Sequence, residues 1–356
     1  MILYVLNGLS GPVDLVDTFK SVIWNVQYYG FSEFELVVPG TPANIQKLKM
    51  DRYLVRDSDM SGGTYKNVMV IESVVLSFTV DDGWILTLSG RGLKSIVSRR
   101  VIWQQTNLKG RVENGIRKVI ADNIVSPSVA ARRIPNFILE AKKGFTETFD
   151  TQLLGENIGE WLVEILPTYT IGWDVYISGG KYVFSLMKGT DRTYDQNSVV
   201  PVVFSPEFDN LISSTYTYAK SEYKNAALVG GEGEGVNQRV ASVGTASGLK
   251  RYEDYIDGSG VSSNGEIITL QTYMQMLRDY GKEQLAGTQY NESFEGSVIP
   301  DGLYDYGVDY FLGDLVQIEN ENGISAVTRI TEIIYSEDEN GWALTPTFSG
   351  WTESED

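Results

Sequence analysis

Glu160 and Glu164 stand one helical turn apart in GEWLVEIL, and Glu33 and Glu35 alternate along FSEFELV. Paired carboxylates at such spacings can do acid–base work. A solvated helix face and a solvated strand face account for the same residues without any chemistry. GEGEG (231–235) has the look of a phosphate loop. It lacks the Lys-Ser/Thr that should follow, and Glu232 and Glu234 would repel a phosphate. DSDMSGG (57–63) opens like a calcium loop, with oxygen donors at Asp57, Asp59 and Ser61 before Gly62. The position that should carry a bidentate Glu is Val68, so an acidic hairpin tip is the expectation and calcium at Asp57–Gly62 stays an open question. The chain of 356 residues has no Cys and no His. That excludes disulfides, thiolate nucleophiles, zinc sites of the usual ligands and any Ser-His-Asp triad. No catalytic residue, metal or cofactor is therefore assigned.

Charge narrows the partners. The formal net charge of −18 argues against ordinary nucleic-acid binding, and the basic pairs Arg99-Arg100 and Arg132-Arg133 are isolated. There is no long apolar run to span a membrane, and MILYVLN reads as a first strand rather than a secretory leader. The 7 Trp and 21 Tyr sit mostly at strand spacing; YDYGVDYFLGD (304–314) is the densest aromatic cluster, placed in a core or interface before a sugar platform.

The elements that hold these residues are chiefly strands. Trp24, Val26 and Tyr28 share one face of SVIWNVQYY, and Phe34, Leu36 and Val38 share one of FELVV, with Gly30 between them as a hairpin. YLVRD, KNVMVIESVVLSFTV and WILTLSG then read as a three-stranded meander joined by DMSGG and VDDG. Helices are expected at 92–103, at 110–125 (Val112, Ile116, Val119 and Ile120 on one face), at 155–167 with Pro167 as the stop, and at 269–287. Strands resume with TIGWDVYIS and KYVFSLMKG about Gly179-Gly180, then VVPVVFS, LISSTYTYAKS and YKNAALVGG. Residues 231–265 read as long loops with one strand pair.

One pattern recurs. DDGWILTLSG (81–90) nearly returns as ENGWALTPTFSG (339–350): a Gly turn, then Trp84, Leu86 and Thr87 in one copy and Trp342, Leu344 and Thr345 in the other, and a Ser-Gly ending. DLVQI and SAVTRITEIIYS precede the second copy as two further strands, and VIESVV lines up with RITEII so that Glu72 matches Glu332. One β-unit used twice is the preferred reading, with two unrelated meanders as the alternative.

RRVIWQQTNLKGRVENGIRKVIADN (99–123), KGTDRT (188–193), FSPEFDNL (204–211), YKNAALVGG (223–231) and DYFLGDLVQI (309–318) follow one another in order. Together they resemble the siphophage tail-tip family, part of the baseplate-hub group that includes the myophage hub, over nearly the whole chain. The resemblance implies a mixed, mainly β (α+β) fold: two tube-protein-like β-barrel units with inserted helical and α/β segments. The expected division is 1–95, a first barrel-like unit; 96–170, a helical insertion; 171–232, a second set of strands; 233–300, a loop-rich segment with the last helix; and 301–356, a closing meander resembling 51–90. It implies a homotrimeric ring at the virion tail tip, joining a sixfold tube to a threefold tip and lining a DNA exit channel whose acidic wall repels DNA. Distal tail or tube proteins would lie above it and fibre or tip proteins below. Interface candidates are Asp191 and Arg192 as an intersubunit ion pair, Asp209 and Asn210 at a turn, and Asp309 and Asp314. A tail-associated cell-wall or polysaccharide hydrolase and a glycan-binding adhesin stay open; with the chain ending at Asp356, no added C-terminal lytic segment is expected.

Overall fold

The computed structural model describes residues 1–349 except 266, 289, 299–301, 321, 323 and 324. Gly350 of the second Ser-Gly ending, the tail to Asp356 and part of the 319–323 joint lie outside the described residues.

A single antiparallel ladder organises the molecule. Its strands are Ser21–Gln27 (β1), Glu33–Pro39 (β2), Ser73–Thr79 (β3), Gly83–Arg91 (β4), Leu211–Ala219 (β5), Asn291–Val298 (β6), Ser325–Asp338 (β7) and Gly341–Ser349 (β8). Their order across the sheet is β5-β6-β8-β7-β1-β2-β4-β3. The short strands Val203–Phe204 and Leu315–Glu319 branch from β7. The order is one four-strand pattern laid down twice, and the register repeats with it. Trp24 lies opposite Phe34, and Tyr216 opposite Phe294. Phe34 lies opposite Gly90, and Phe294 opposite Phe348. Trp84 and Trp342 each begin their strand after a left-handed glycine, Gly83 and Gly341. The two copies join where β7 pairs with β1, with Tyr335 opposite Trp24.

Alternation puts Val22, Trp24, Leu36, Leu86 and Leu88 on one face, against Leu3, Val5, Leu54 and Ile71. Ile330, Ile333, Leu344 and Phe348 use the same face to pack on Phe204, Val316 and Ile318. The other face of the ladder lies outside both cores.

The first meander differs from its expectation. Tyr53–Arg56 pairs with Leu3–Leu6 and with Met69–Val70 in a separate four-stranded sheet, while β3 and β4 belong to the ladder. The long strand breaks at Ile71 and Glu72 because the chain crosses between sheets at Gly90. A Cβ there would lie 2.0 Å from the Val70 carbonyl oxygen, so only glycine lets the backbones approach. The expected match of Glu72 with Glu332 is also one residue out: Ser73, opposite Ser89, takes the place that Glu332 takes opposite Thr347. The β3–β4 turn is one residue longer than the β7–β8 turn, which sets this correspondence.

A helical unit follows β4. The segment expected as a helix at 92–103 is a 3₁₀ helix over Leu93–Arg99. Leu93 to Val97 are all buried, Lys94 and Ser95 among them, so the segment fills a corner of the core. Val112–Ile120 (α1) and Ile158–Ile165 (α2) form as expected, α2 capped by the Asn157 side chain accepting from the amides of Gly159 and Glu160. They pack with Trp161 and Trp173 under the Gly172–Ser178 and Lys181–Met187 hairpin. VVPVVFS yields only Val203–Phe204 as a strand.

Residues 220–290 are inserted between β5 and β6, whose ends remain paired at Ala219 and Asn291. Here Ala226–Gly230 has Val240–Val243 antiparallel on one side and Glu253–Asp257 parallel on the other, so the two strands of the loop-rich stretch pair with a third and not with each other. Leu270–Ala286 (α3) covers them through Tyr273, Leu277 and Leu285.

Candidate assembly interface

A sheet with two ends has two rows of unpaired backbone groups, and folded proteins cover such rows or use them. Among the described residues the ends are β3 and β5. In the repeated pattern β3 holds the place of β7, and β5 holds the place of β1. Inside the chain, β7 and β1 pair with each other. The two open edges are therefore the two halves of a junction that the molecule already makes once. The β3 edge is apolar as well as open: Val75, Leu76 and Phe78 are among its exposed side chains. On the β5 edge Tyr216 and Tyr218 are exposed.

The ladder face away from the cores carries Glu33, Glu35, Glu332 and Arg91 among Ser, Thr and Asn side chains, with Ile23, Val37, Val75, Ile85 and Ile334 between them. A shallow concavity of about 380 Å³ lies at the start of the β7–β1 seam, lined by Ser21, Ile23, Glu337 and Trp342. A second of about 540 Å³ lies further along, lined by Ile23, Asn25, Glu33, Glu35 and Arg91. Glu332 accepts from Asn25 Nδ2 (2.6 Å), Gln27 Nε2 (3.1 Å) and Thr347 Oγ1 (2.9 Å), which ties its carboxylate across the seam. Arg91 is held by Glu72.

The interface candidates gather about the closing segment. Arg192 Nε donates to Asp314 Oδ2 (2.6 Å), within the chain. Asp314 is buried and also accepts from the amides of Thr190 (2.7 Å) and Phe311 (3.0 Å). Asp191 is exposed, and its Oδ1 accepts from the amide and hydroxyl of Thr193. Buried Asn210 closes a turn, accepting from the Ser205 amide (2.9 Å) and donating to the Val203 carbonyl (2.8 Å), while Asp209 is exposed in the left-handed region. Asp309 accepts from the Asp305 amide.

The acid pairs do not converge. Glu33 and Glu35 line the open face, and Glu160 is exposed. Glu164 meets Glu283 of α3 and not Glu160; burial first, and Glu164 second, push the Glu283 carboxyl up to about 7. Glu232 of GEGEG accepts from Ser262 and Ser263 and pairs with Arg239. Asp59 is held by Arg56 and Asn67, and no metal-ligand cluster occurs among the described residues. Of the 304–314 aromatics, Tyr310 is fully buried and Tyr304 and Tyr306 pack on the same core. Two ionisable groups, buried Lys94 and half-buried Asp174, gave no signal in the sequence. Lys94 donates to the carbonyls of Gln27 (2.6 Å) and Trp173 (3.4 Å), and burial brings its amine down to about 8. Burial raises Asp174 beside it. Among the described residues no helix is long and apolar enough to cross a membrane.

A family model described as Siphovirus ReqiPepy6 Gp37-like protein matches residues 2–348. The chain belongs to this siphovirus Gp37-like family. Its architecture is mainly β. It is similar to the 43 kDa tail protein of prophage MuSo2 from Shewanella oneidensis, at 15% identity and a TM-score of 0.56, covering 98% of each chain. It is also similar to a tail protein from Neisseria meningitidis MC58, at 16% identity and 0.56, covering 98% of this chain and 96% of that one. At such identity these likenesses speak for the fold. No curated protein matches in sequence.

Proposed function

We propose that this Gp37-like chain is a structural hub of the tail tip, in which three copies join edge to edge into a ring that continues the ladder. The observation that carries this is the pairing of β7 with β1 inside a chain whose free edges are the equivalents of those two strands. Transferring that register sets Leu76 of one copy opposite Tyr216 of the next, Val74 opposite Tyr218, and Val75 opposite Thr217. Leu76–Tyr216 and Val74–Tyr218 are aliphatic–aromatic pairs of the kind that stabilise neighbouring strands. Three copies with two repeats each offer six equivalent positions, the number needed to meet a sixfold tube. The outer ladder face then lines the bore, where Glu33, Glu35 and Glu332 outnumber Arg91 and favour a wall that DNA passes without sticking. The role is assembly, not catalysis. Exposed Asp191 and Asp209, together with Asp309, remain interface candidates towards tail or fibre partners.

The test uses the absence of native cysteine. Directly opposed residues of an antiparallel pair have Cα atoms about 4.5–5.5 Å apart, within disulfide range. Val75→Cys with Thr217→Cys in one chain should give, on oxidation, a covalent trimer whose mass matches the particle measured by light scattering. Monomer at every concentration, with no cross-link, would reject the ring.

A further inference from the structure

The two Trp-led turns lie at the same end of the ladder. Neighbouring strands alternate in direction, so the β3–β4 and β7–β8 turns emerge together, while the β1–β2 turn and the 220–290 insertion emerge at the opposite end. The helical unit is at that opposite end too: Gly92 donates to the Ser32 carbonyl, and Trp173 to the carbonyls of Tyr28 and Tyr29. The Trp end therefore carries neither the insertion nor the helical unit.

Besides the short helix Pro42–Lys47 that follows β2 there, it presents one feature twice. Trp84 is 55% exposed and Trp342 51%, at equivalent places in the two repeats. Phe78 lies against Trp84 with ring centroids 5.4 Å apart. Trp342 walls the 380 Å³ concavity, which opens beside the start of β1. Each turn is acidic: Asp81 and Asp82 in one, Asp338 and Glu339 in the other. Lys20 offsets Asp82, and the terminal amine offsets Glu337. A large indole beside a pocket is the kind of residue that dominates protein interfaces. Spread over a ring, these tips form six indoles in one circle, each beside carboxylates.

We propose that this end of the ladder is the docking face for a sixfold protein ring, and that Trp84 and Trp342 are equivalent anchors received by apolar sockets with basic rims. The proposal rests on the ring reading and adds its polarity: the tube meets the Trp end, and the helical and inserted units face the tip. The acidic turns fix the sign of the partner's charge, and the twofold occurrence per chain fixes its symmetry. A flat or threefold partner would engage one Trp and leave the other in water.

The probe is the purified sixfold tail-tube ring of the same virus, titrated against wild type, Trp84→Ala, Trp342→Ala and the double variant. Light scattering is run on each variant. The double variant should keep the trimeric mass and lose binding by about 100-fold or more, each single variant losing about 10-fold, and raised salt should weaken the wild type. A trimeric double variant that binds the tube ring like wild type overturns the proposal, as does a loss carried wholly by one Trp. A monomeric wild type instead overturns the ring on which it rests.

Discussion

The free β3 edge makes a quantitative demand. Phe78 leaves 60% of its surface exposed and Leu76 44%. An aromatic side chain presents roughly 200 Å² in all. Covering the exposed part of Phe78 removes about 120 Å² from water, worth about 3 kcal/mol at ~25 cal/mol per Å². Covering the rest of Leu76 adds about 1 kcal/mol. The double variant Leu76→Asp/Phe78→Asp should thus weaken each seam by about 4 kcal/mol, close to a thousandfold in association. The part of each side chain that the single chain already covers, with Phe78 packed on Trp84, is lost as well, so folding should weaken by about 2–4 kcal/mol. Sedimentation velocity over a hundredfold range of concentration reads the first effect, and thermal melting reads the second. Wild type should sediment as a trimer and the variant as a folded monomer with a lowered melting temperature. A variant that sediments like wild type would show that no neighbour covers these side chains, and the edge-to-edge argument would be wrong.

Glu283 predicts a pH dependence. Its carboxyl is raised to about 7 by burial and then by Glu164, so the folded chain keeps a proton that the unfolded chain releases near pH 4.5. Stability is therefore highest below that lower value and falls as pH rises to 7, by about 3 kcal/mol. Urea midpoints at pH 5 and pH 8 should show the fall, and Glu283→Gln should flatten it; an unchanged profile in the variant rejects the assignment. Asp314→Ala should cost about 3–5 kcal/mol by leaving Arg192 charged, largely buried and unpaired, whereas Asp191→Ala should cost less than about 1 kcal/mol. Equal losses in urea titrations would mean that Asp314 does not hold the closing segment.

Local structure was readable where one face of an element decides it. Val112, Ile116, Val119 and Ile120 marked α1 at helical period, and Gly179-Gly180 marked a hairpin. The repeated Trp-Leu-Thr run pointed to two equivalent strands, which the sheet order places equivalently. Reading failed where distant backbones meet. Nothing in the periodicity of β1 or β7 says that they pair, since more than 300 residues separate them and each could as well be an edge. The break at Ile71 depends on Gly90, a residue that looks like ordinary turn punctuation. Asp191 and Arg192 are expected in an ion pair between subunits; within the chain Arg192 meets Asp314, far from it in sequence. Lys94 and Glu283 escaped notice because burial of a charged residue is a property of what folds over it.

Two unlike edges make a head-to-tail contact, and such contacts grow into open filaments unless the turn from one unit to the next closes on itself. This chain carries one such contact covalently, between β7 and β1. The angle between successive repeats is then built in before any second molecule arrives. For copies joined through β3 and β5, ring size becomes a consequence of how strongly this one sheet twists. A substitution that flattens the β7–β1 seam would change the count of copies, or turn a closed particle into a fibre, without touching a residue that any neighbour contacts.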